Sequence, residues 1–316
     1  MEKECQAASA VLMIRPVRFG FNAETAVDNH FQHQCQLSDA EMQARALQEF
    51  NNYVAILQSK GIDVVAIDDT PEPHTPDSIF PNNWVSFHSD GTVIVYPMEA
   101  VDRREERRDD ILWDIERKYG YRVKRVIDIT KEEEYGRYLE ATGSMIFDYV
   151  NKIIYACISK RTDKTVLHRV AKELGYKVHS FEDVDNDGVE IYHTNVIMCL
   201  GEKFALLWDD GIQNPQEKEE LLRSLEETGH EVILLTFDQI QKFAGNALEL
   251  VNKEGKRFLV MASTGVESLT EDQKQRLEKY VELLPVPLDT IEGAEGGSAR
   301  CMICDIRLPK KGSETE

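Results

Sequence analysis

Four stretches of the chain share one design, two short apolar runs around a polar turn. They are WVSFHSDGTVIVYP (84–97), SMIFDYVNKIIYACI (144–158), NVIMCLGEKFALLW (195–208) and NALELVNKEGKRFLVMAS (246–263). The runs are strand-like and the turns SDGT, VNK, GEK and NKEGK are polar, so each stretch predicts a β-hairpin. After each hairpin comes a segment with the one-sided apolar stripe of a helix. Segment 102–120 places Ile111, Leu112 and Ile115 on one face and stops at Gly120. Segment 162–175 can cap at Thr162, aligns Val166, Val170 and Leu174, and stops at Gly175. The third has Asn214 as cap, Pro215 at the first helical position and Gly229 at its end; the fourth has Thr270 as cap and Leu277, Tyr280, Val281 and Leu284 along one side. A short strand follows each helix: YRVKRVI, YKVHSF, HEVILLT and PVPLDTI.

The repeating unit is therefore strand–turn–strand–helix–strand, restarting near 84, 144, 195 and 246. A fifth first strand begins at Cys301 (CMICDIRL) without a helix after it, while VLMIRP, a helix from Ser38 to Lys60 and DVVAID open the chain. Joining the two ends completes a fifth unit. Five such units predict a pseudo-fivefold α/β propeller of ββαβ units, closed by pairing of the N- and C-terminal strands, which leaves no sheet edge open. An ordinary mixed α/β domain is the alternative. The propeller would be a single catalytic domain over 1–316, with a flexible acidic tail from about 310.

In such a ring, equivalent positions converge on the axis. Each first strand is preceded by a polar motif: PDSIFPNNW, YLEATGS, IYHTN, FAGN and EGGSARC. Asn83, Glu140, His193, Asn246 and Cys301 would then meet in one pocket. A thiol, an imidazole, a carboxylate and amides together form the set that nucleophilic cysteine catalysis requires.

The formal net charge of −20 over 316 residues argues against a nucleic-acid or anionic-membrane surface. No apolar run reaches membrane-span length, and the opening MEKECQAASAVLMIRP makes a poor secretory signal. Six scattered cysteines suggest reduced thiols in a cytoplasmic setting. Cys301 and Cys304 have Cys-x-x-Cys spacing, but no second Cys/His pair at ligand spacing completes a zinc site, and no helix follows as in a redox motif. On a strand, residues three apart face opposite sides, so Cys304 is expected in the core and Cys301 in the pocket. FEDVDNDGVEIYHT spaces Asp183, Asp185, Asp187 and Gly188 like the start of a calcium loop, but its twelfth position is Thr194 and flanking helices are not evident; it reads as an acidic loop.

MIRPVRFGFNAETAVDNHFQ, PDSIFPNNWVSFH, LEATGSMIFD, IYHTNVIMCLG, FAGNALEL and SARCMICDIRLP together resemble the guanidine-modifying superfamily of arginine deiminases, dimethylarginine dimethylaminohydrolases and amidinotransferases. The likeness runs from residue 13 to 309 and is strongest to the bacterial citrulline hydrolase, amidinotransferase-like branch. It implies the same five-bladed fold and a cysteine hydrolase with no cofactor or metal. It implies Cys301 as the nucleophile forming a covalent intermediate, His193 as the proton-transfer group and Glu140 as the carboxylate that takes the substrate's terminal nitrogens. It further implies Arg161, in ISKRTD, on the substrate α-carboxylate, Asp77 on the amino-acid end, and Asn195 and Asn246 in the pocket, with Arg103 or Arg104 a weaker candidate from the run VDRREERR. The partner implied is a small amino acid, citrulline or an arginine derivative, with homodimerisation open.

Asn83 departs from the pattern. Hydrolases of arginine and methylarginine carry an acidic residue after PDSxF, where this chain reads PNNW. An amide suits a neutral group better than a guanidinium, which is costly to bury without a counter-charge. The departure points to citrulline, cleaved to ornithine, ammonia and carbon dioxide. Arginine deiminase, dimethylarginine hydrolase, amidinotransferase and non-catalytic amino-acid-binding readings stay open at this stage.

Overall fold

The computed structural model describes residues 4–27, 29 and 37–312. The strands are β1 (Ala10–Arg15), β2 (Asp63–Asp68), β3 (Val85–Phe87), β4 (Thr92–Val95), β5 (Arg125–Asp128), β6 (Ile146–Asp148), β7 (Ile153–Cys157) and β8 (Lys177–Phe181). They continue with β9 (Met198–Leu200), β10 (Phe204–Leu207), β11 (Glu231–Leu234), β12 (Leu248–Val251), β13 (Arg257–Ala262), β14 (Glu282–Val286) and β15 (Cys304–Asp305). They form five separate three-stranded sheets, β3-β4-β5, β6-β7-β8, β9-β10-β11, β12-β13-β14 and β15-β1-β2, with no closed barrel among the described residues. In every sheet the middle strand pairs antiparallel with one neighbour and parallel with the other. That mixture follows from connectivity: a tight turn can join only antiparallel strands, and a parallel partner needs a long crossover. The sheet joining the chain ends has the register Val11↔Asp305 and Leu12↔Cys304.

The crossover helices are Asp39–Ser59, Asp109–Arg117, Lys164–Leu174, Pro215–Glu227 and Glu271–Glu278. Ser38 with Glu41 and Thr270 with Gln273 form capping boxes, and the Asn214 side chain accepts the Gln216 N–H beside Pro215. The third helix is capped by Asp163, whose carboxylate accepts the N–H groups of Thr165 and Val166; the expected cap, Thr162, is buried one residue earlier in a bridge with Leu139 and Ser159. The segment expected to be helical from 102 opens as a 3₁₀ turn, Asp102–Glu106, before the α-helix begins at Asp109. Leu284, expected on a helix face, lies in β14. The apolar stripes pack onto the sheets, burying Phe50, Tyr53 and Leu57 from the first helix and Ile111 and Ile115 from the second. Among the described residues no helix is long and apolar enough to cross a membrane.

The short turns before the first strands position the chemistry. Pro81–Asn83 is a 3₁₀ turn, Ala141–Ser144 and Thr194–Ile197 are single helical turns, and Glu140 and His193 occupy the N-cap positions of the latter two. Cys301 also sits in a turn, its N–H reaching the Ser298 carbonyl at 3.0 Å, and not on a strand as expected. Cys304 alone of the pair is on β15, where it is buried with its thiol donating to the Val85 carbonyl at 3.4 Å. The acidic loop is closed by Asp185 accepting the N–H groups of Asp187 and Val189, while Asp183 is buried. Among the described residues no group of His, Cys, Asp or Glu is arranged to hold a metal ion. The acidic tail lies outside the described residues from 313 onward.

Candidate active site

The turns bring Asp77, Asn83, Arg161, His193 and Cys301 to one cavity, walled also by Arg103, Thr25, Asn29, Phe80, Tyr192 and the stretch Glu295–Gly297. Its volume is about 20 Å³, room for a single water. Residues 22–27 and Asn29 lie along one side. The Asn22 amide donates to Asp77 at 3.0 Å, the Asn22 backbone N–H to Glu295 at 3.0 Å and the Asn29 amide to the Glu295 carbonyl at 2.9 Å.

His193 Nε2 lies 2.7 Å from Glu140 Oε2, and both side chains are buried. Burial pushes the Glu140 carboxyl up, but the Arg161 guanidinium 3.7 Å away, the His193 hydrogen bond and Arg103 outweigh it and hold the group at about 2. An ionised carboxylate only accepts, so Nε2 carries the imidazole proton and Nδ1 is left as the basic nitrogen. Burial lowers the His193 pKa, Glu140 opposes the shift and Arg161 reinforces it, so the ring rests neutral. Ala141, next to Glu140, has φ +38°, a left-handed conformation that side chains rarely adopt.

The Cys301 sulfur accepts from Asn246 Nδ2 at 3.2 Å and from Asn195 Nδ2 at 3.5 Å. These two amides lie behind the sulfur and are not cavity walls. Glu140 likewise stands behind His193 and Arg161. Asp77 accepts from Asn22 and Thr25 on Oδ2, while its buried Oδ1 has no hydrogen-bond partner. Burial first, and the Asp77 charge second, hold the Glu295 carboxyl well above the usual carboxylate range.

Arg104 is a correction. Its guanidinium is spent on the Met98 and Glu99 carbonyls and on Glu133, away from the cavity. Arg103 reaches the site instead: it grips Glu106 through two nitrogens at 2.8 and 3.0 Å and donates to Asn83 Oδ1 at 2.9 Å. Glu295 and the wall residues Thr25 and Asn29 lie within the motifs EGGSARC and MIRPVRFGFNAETAVDNHFQ, but the sequence assigns them no individual role.

Gly143 lets the site close. A Cβ there would land on Asn83 Nδ2 and lie 2.9 Å from Cε1 and Nδ1 of His193. Gly143→Ala is therefore expected to lower kcat by about 10- to 100-fold, with the secondary structure retained and stability reduced by about 1–3 kcal/mol. Steady-state kinetics beside a thermal melt checks this; an unchanged kcat would show that neither side chain needs its present position.

Residues 15–308 match the family model described as N,N dimethylarginine dimethylhydrolase, eukaryotic, and the chain belongs to that family, whose members hydrolyse carbon–nitrogen bonds other than peptide bonds. Among solved structures, apo ArgZ, an arginine dihydrolase from the ornithine–ammonia cycle in cyanobacteria, superposes with a TM-score of 0.74 at 17% identity. That match covers 95% of this chain but only 41% of ArgZ. The N-terminal domain of ArgZ, as a cysteine-to-serine mutant bound to substrate, gives 0.74 at 18% identity and covers 95% and 98% of the two chains. A cysteine-to-serine mutant of the dimethylarginine dimethylaminohydrolase (DDAH) of Pseudomonas aeruginosa, complexed with citrulline, gives 0.65 at 15% identity and covers 94% and 99%. At these identities the likeness is one of fold. No curated protein matches the chain.

Proposed function

We propose that the chain is a cysteine hydrolase of the ureido group of citrulline, giving ornithine, ammonia and carbon dioxide. The observation that carries the reading is the orientation of Asn83. Arg103 can only donate, so Asn83 must offer it Oδ1, and the 2.9 Å contact has that geometry. Nδ2 is then turned the other way, buried at the cavity wall without a partner. A fixed N–H donor matches the ureido oxygen. A guanidinium has only N–H groups and would meet it donor to donor.

In this reading the Cys301 thiolate attacks the ureido carbon while Asn83 Nδ2 stabilises the negative charge growing on the oxygen. His193 Nδ1, having taken the proton of the Cys301 thiol as the sulfur attacks, delivers it to the leaving ammonia, and a thiocarbamate on Cys301 remains. Water, deprotonated by His193, releases a carbamate that decomposes to ornithine and carbon dioxide, so one water is consumed overall. Glu140, behind the cavity wall, fixes the imidazole through its 2.7 Å bond to Nε2. Arg161 takes the α-carboxylate, and Asp77 Oδ1 is an acceptor for the α-ammonium. Five sheets of one strand order, joined across the chain ends, support reading the whole chain as a single-domain pseudo-fivefold propeller with this cavity at its axis.

The family's name points to dimethylarginine, and Asp77 is a carboxylate on the cavity wall that a guanidinium could use. An assay panel of citrulline, arginine, methylarginines and agmatine separates the readings. Citrulline is expected to give the highest kcat/KM, with ornithine and ammonia as products. Turnover of arginine or dimethylarginine that stops at citrulline would overturn the proposal.

A further inference from the structure

We propose that Glu292 is a positioning residue that fastens the turn carrying Cys301 through the hydroxyl of Ser298. The inference rests on Cys301 being the nucleophile and concerns what keeps that residue on target. Between the helical turn Asp289–Glu295 and Cys301 the chain reads GGSAR, and β15 begins only at Cys304. Gly296 has φ +61°, and Gly297 lies so close to Phe80 that a Cβ there would come within 2.5 Å of its ring. Two glycines give this stretch little stiffness of its own, so side chains from other elements must hold it. Ser298 Oγ donates to Glu292 Oε1 at 2.5 Å, and the Ser298 carbonyl accepts the N–H groups of Cys301 at 3.0 Å and Met302 at 3.3 Å. A carboxyl on the preceding helical turn is thus tied through one residue to the backbone of Cys301. Its other oxygen, Oε2, accepts from Thr264 Oγ1 at 2.7 Å and so joins the helical turn Ser263–Ser268.

Glu292 and Ser298 are buried, and the element bearing Glu292 is itself fixed, because Glu49 accepts the Thr290 and Ile291 N–H groups at 2.8 and 3.0 Å. Burial raises the Glu292 carboxyl to about 7, the Ser298 and Thr264 hydroxyls oppose the rise, and Asp289 and Glu49 add to it. Assays at about pH 8.5 therefore keep it an acceptor for both hydroxyls. The remaining anchors of the turn act elsewhere. Tyr53 donates to the Ala299 carbonyl at 3.1 Å, and Asn246 Oδ1 accepts the Arg300 and Cys301 N–H groups at 2.9 and 3.4 Å. Cutting the bond at Ser298 leaves these in place, so the turn shifts without unravelling. Displacing an attacking atom by about 1 Å is enough to cost about 100-fold in rate.

The test compares Ser298→Ala with Thr264→Ala in the full chain, reading kcat and KM for citrulline, or for arginine should the substrate panel favour it, beside the thermal midpoint. Each variant removes one donor from the same buried carboxyl, but only Ser298→Ala cuts the tie to the turn. Ser298→Ala is expected to lower kcat by about 10- to 100-fold with KM within about threefold. Thr264→Ala is expected to keep kcat within about threefold despite a comparable fall in the thermal midpoint. Losses of kcat that follow the thermal midpoint equally in both variants would mean that the carboxyl only holds the fold, and would overturn the proposal. Should Ser298→Ala not fold, Glu292→Gln and Glu292→Leu carry the test. The amide can still accept from Ser298 and donate to Thr264, so Glu292→Gln should stay within about fivefold of the native kcat. Glu292→Leu, of similar size but without an acceptor, should lose about 10- to 100-fold, and equal kcat in the two would refute the tie. The two readings fail separately: turnover by Cys301→Ser would refute the nucleophile, whereas an unmoved kcat in Ser298→Ala would refute the tie alone.

Discussion

Cys301→Ser is expected to cut turnover by about 10⁴-fold or more while leaving the fold intact. The hydroxyl is close in size to the thiol, and the two amide donors behind it can donate to oxygen as readily as to sulfur. What is lost is nucleophilicity. A thiol ionises within reach of neutral pH, and a serine hydroxyl does not. His193 cannot compensate by itself, because its Nε2 is committed to Glu140 and its basicity is lowered by burial and Arg161. Intact-protein mass spectrometry with iodoacetamide gives an independent readout. Cys157, Cys199 and Cys304 are buried with thiols pushed up by burial, Cys5 is exposed and labels as background, and Cys35, outside the described residues, is followed by its own peptide. Substrate should therefore protect one site, Cys301, and a serine variant that retains turnover would end the thiol route.

Much of the architecture was legible because it is written in short-range pattern. A hairpin needs only two apolar runs and a polar turn, and a helix start needs only a cap such as Ser38, Asn214 or Thr270 before an apolar stripe. Recurrence of one unit then made the long-range step tractable. Equivalent positions in the units explain why Asn83, His193 and Cys301, more than a hundred residues apart in places, wall the same cavity.

The misses have a common cause. Arg103 and Arg104 are neighbours in a charge run, and only the 3₁₀ turn at 102–106 decides which one faces inward. Cys301 was expected on a strand because SARCMICDI reads as one apolar run, but β15 pairs through Cys304 and Asp305 alone, which leaves Cys301 in the turn. Its position opposite the core thiol therefore follows from the turn and not from strand alternation. Glu295 and Asn29 act through contacts to Asn22 and to each other's segment across more than 250 residues, and no local periodicity encodes such pairs.

Asn83→Asp tests substrate charge and is expected to reverse the preference of the enzyme. The aspartate keeps an oxygen for Arg103, so the 2.9 Å contact and the bidentate hold of Glu106 on Arg103 survive. The second oxygen replaces the unpartnered Nδ2 and puts an acceptor where the ureido oxygen would sit. Two acceptors facing each other in a buried site remove the transition-state hydrogen bond and add repulsion, so kcat/KM for citrulline should fall by about 100-fold or more. For a guanidinium the change has the opposite sign. Glu140, the carboxylate bonded to His193, is already offset by Arg161 at 3.7 Å, and a further negative charge at 83 supplies a counter-ion. Arginine or methylarginine turnover should rise in the same variant. Asn83→Ala separates the two effects, since it removes the donor without adding charge and should lose citrulline activity without gaining the cationic substrates. Unchanged citrulline kcat/KM in Asn83→Asp would show that the amide does not touch the reacting group.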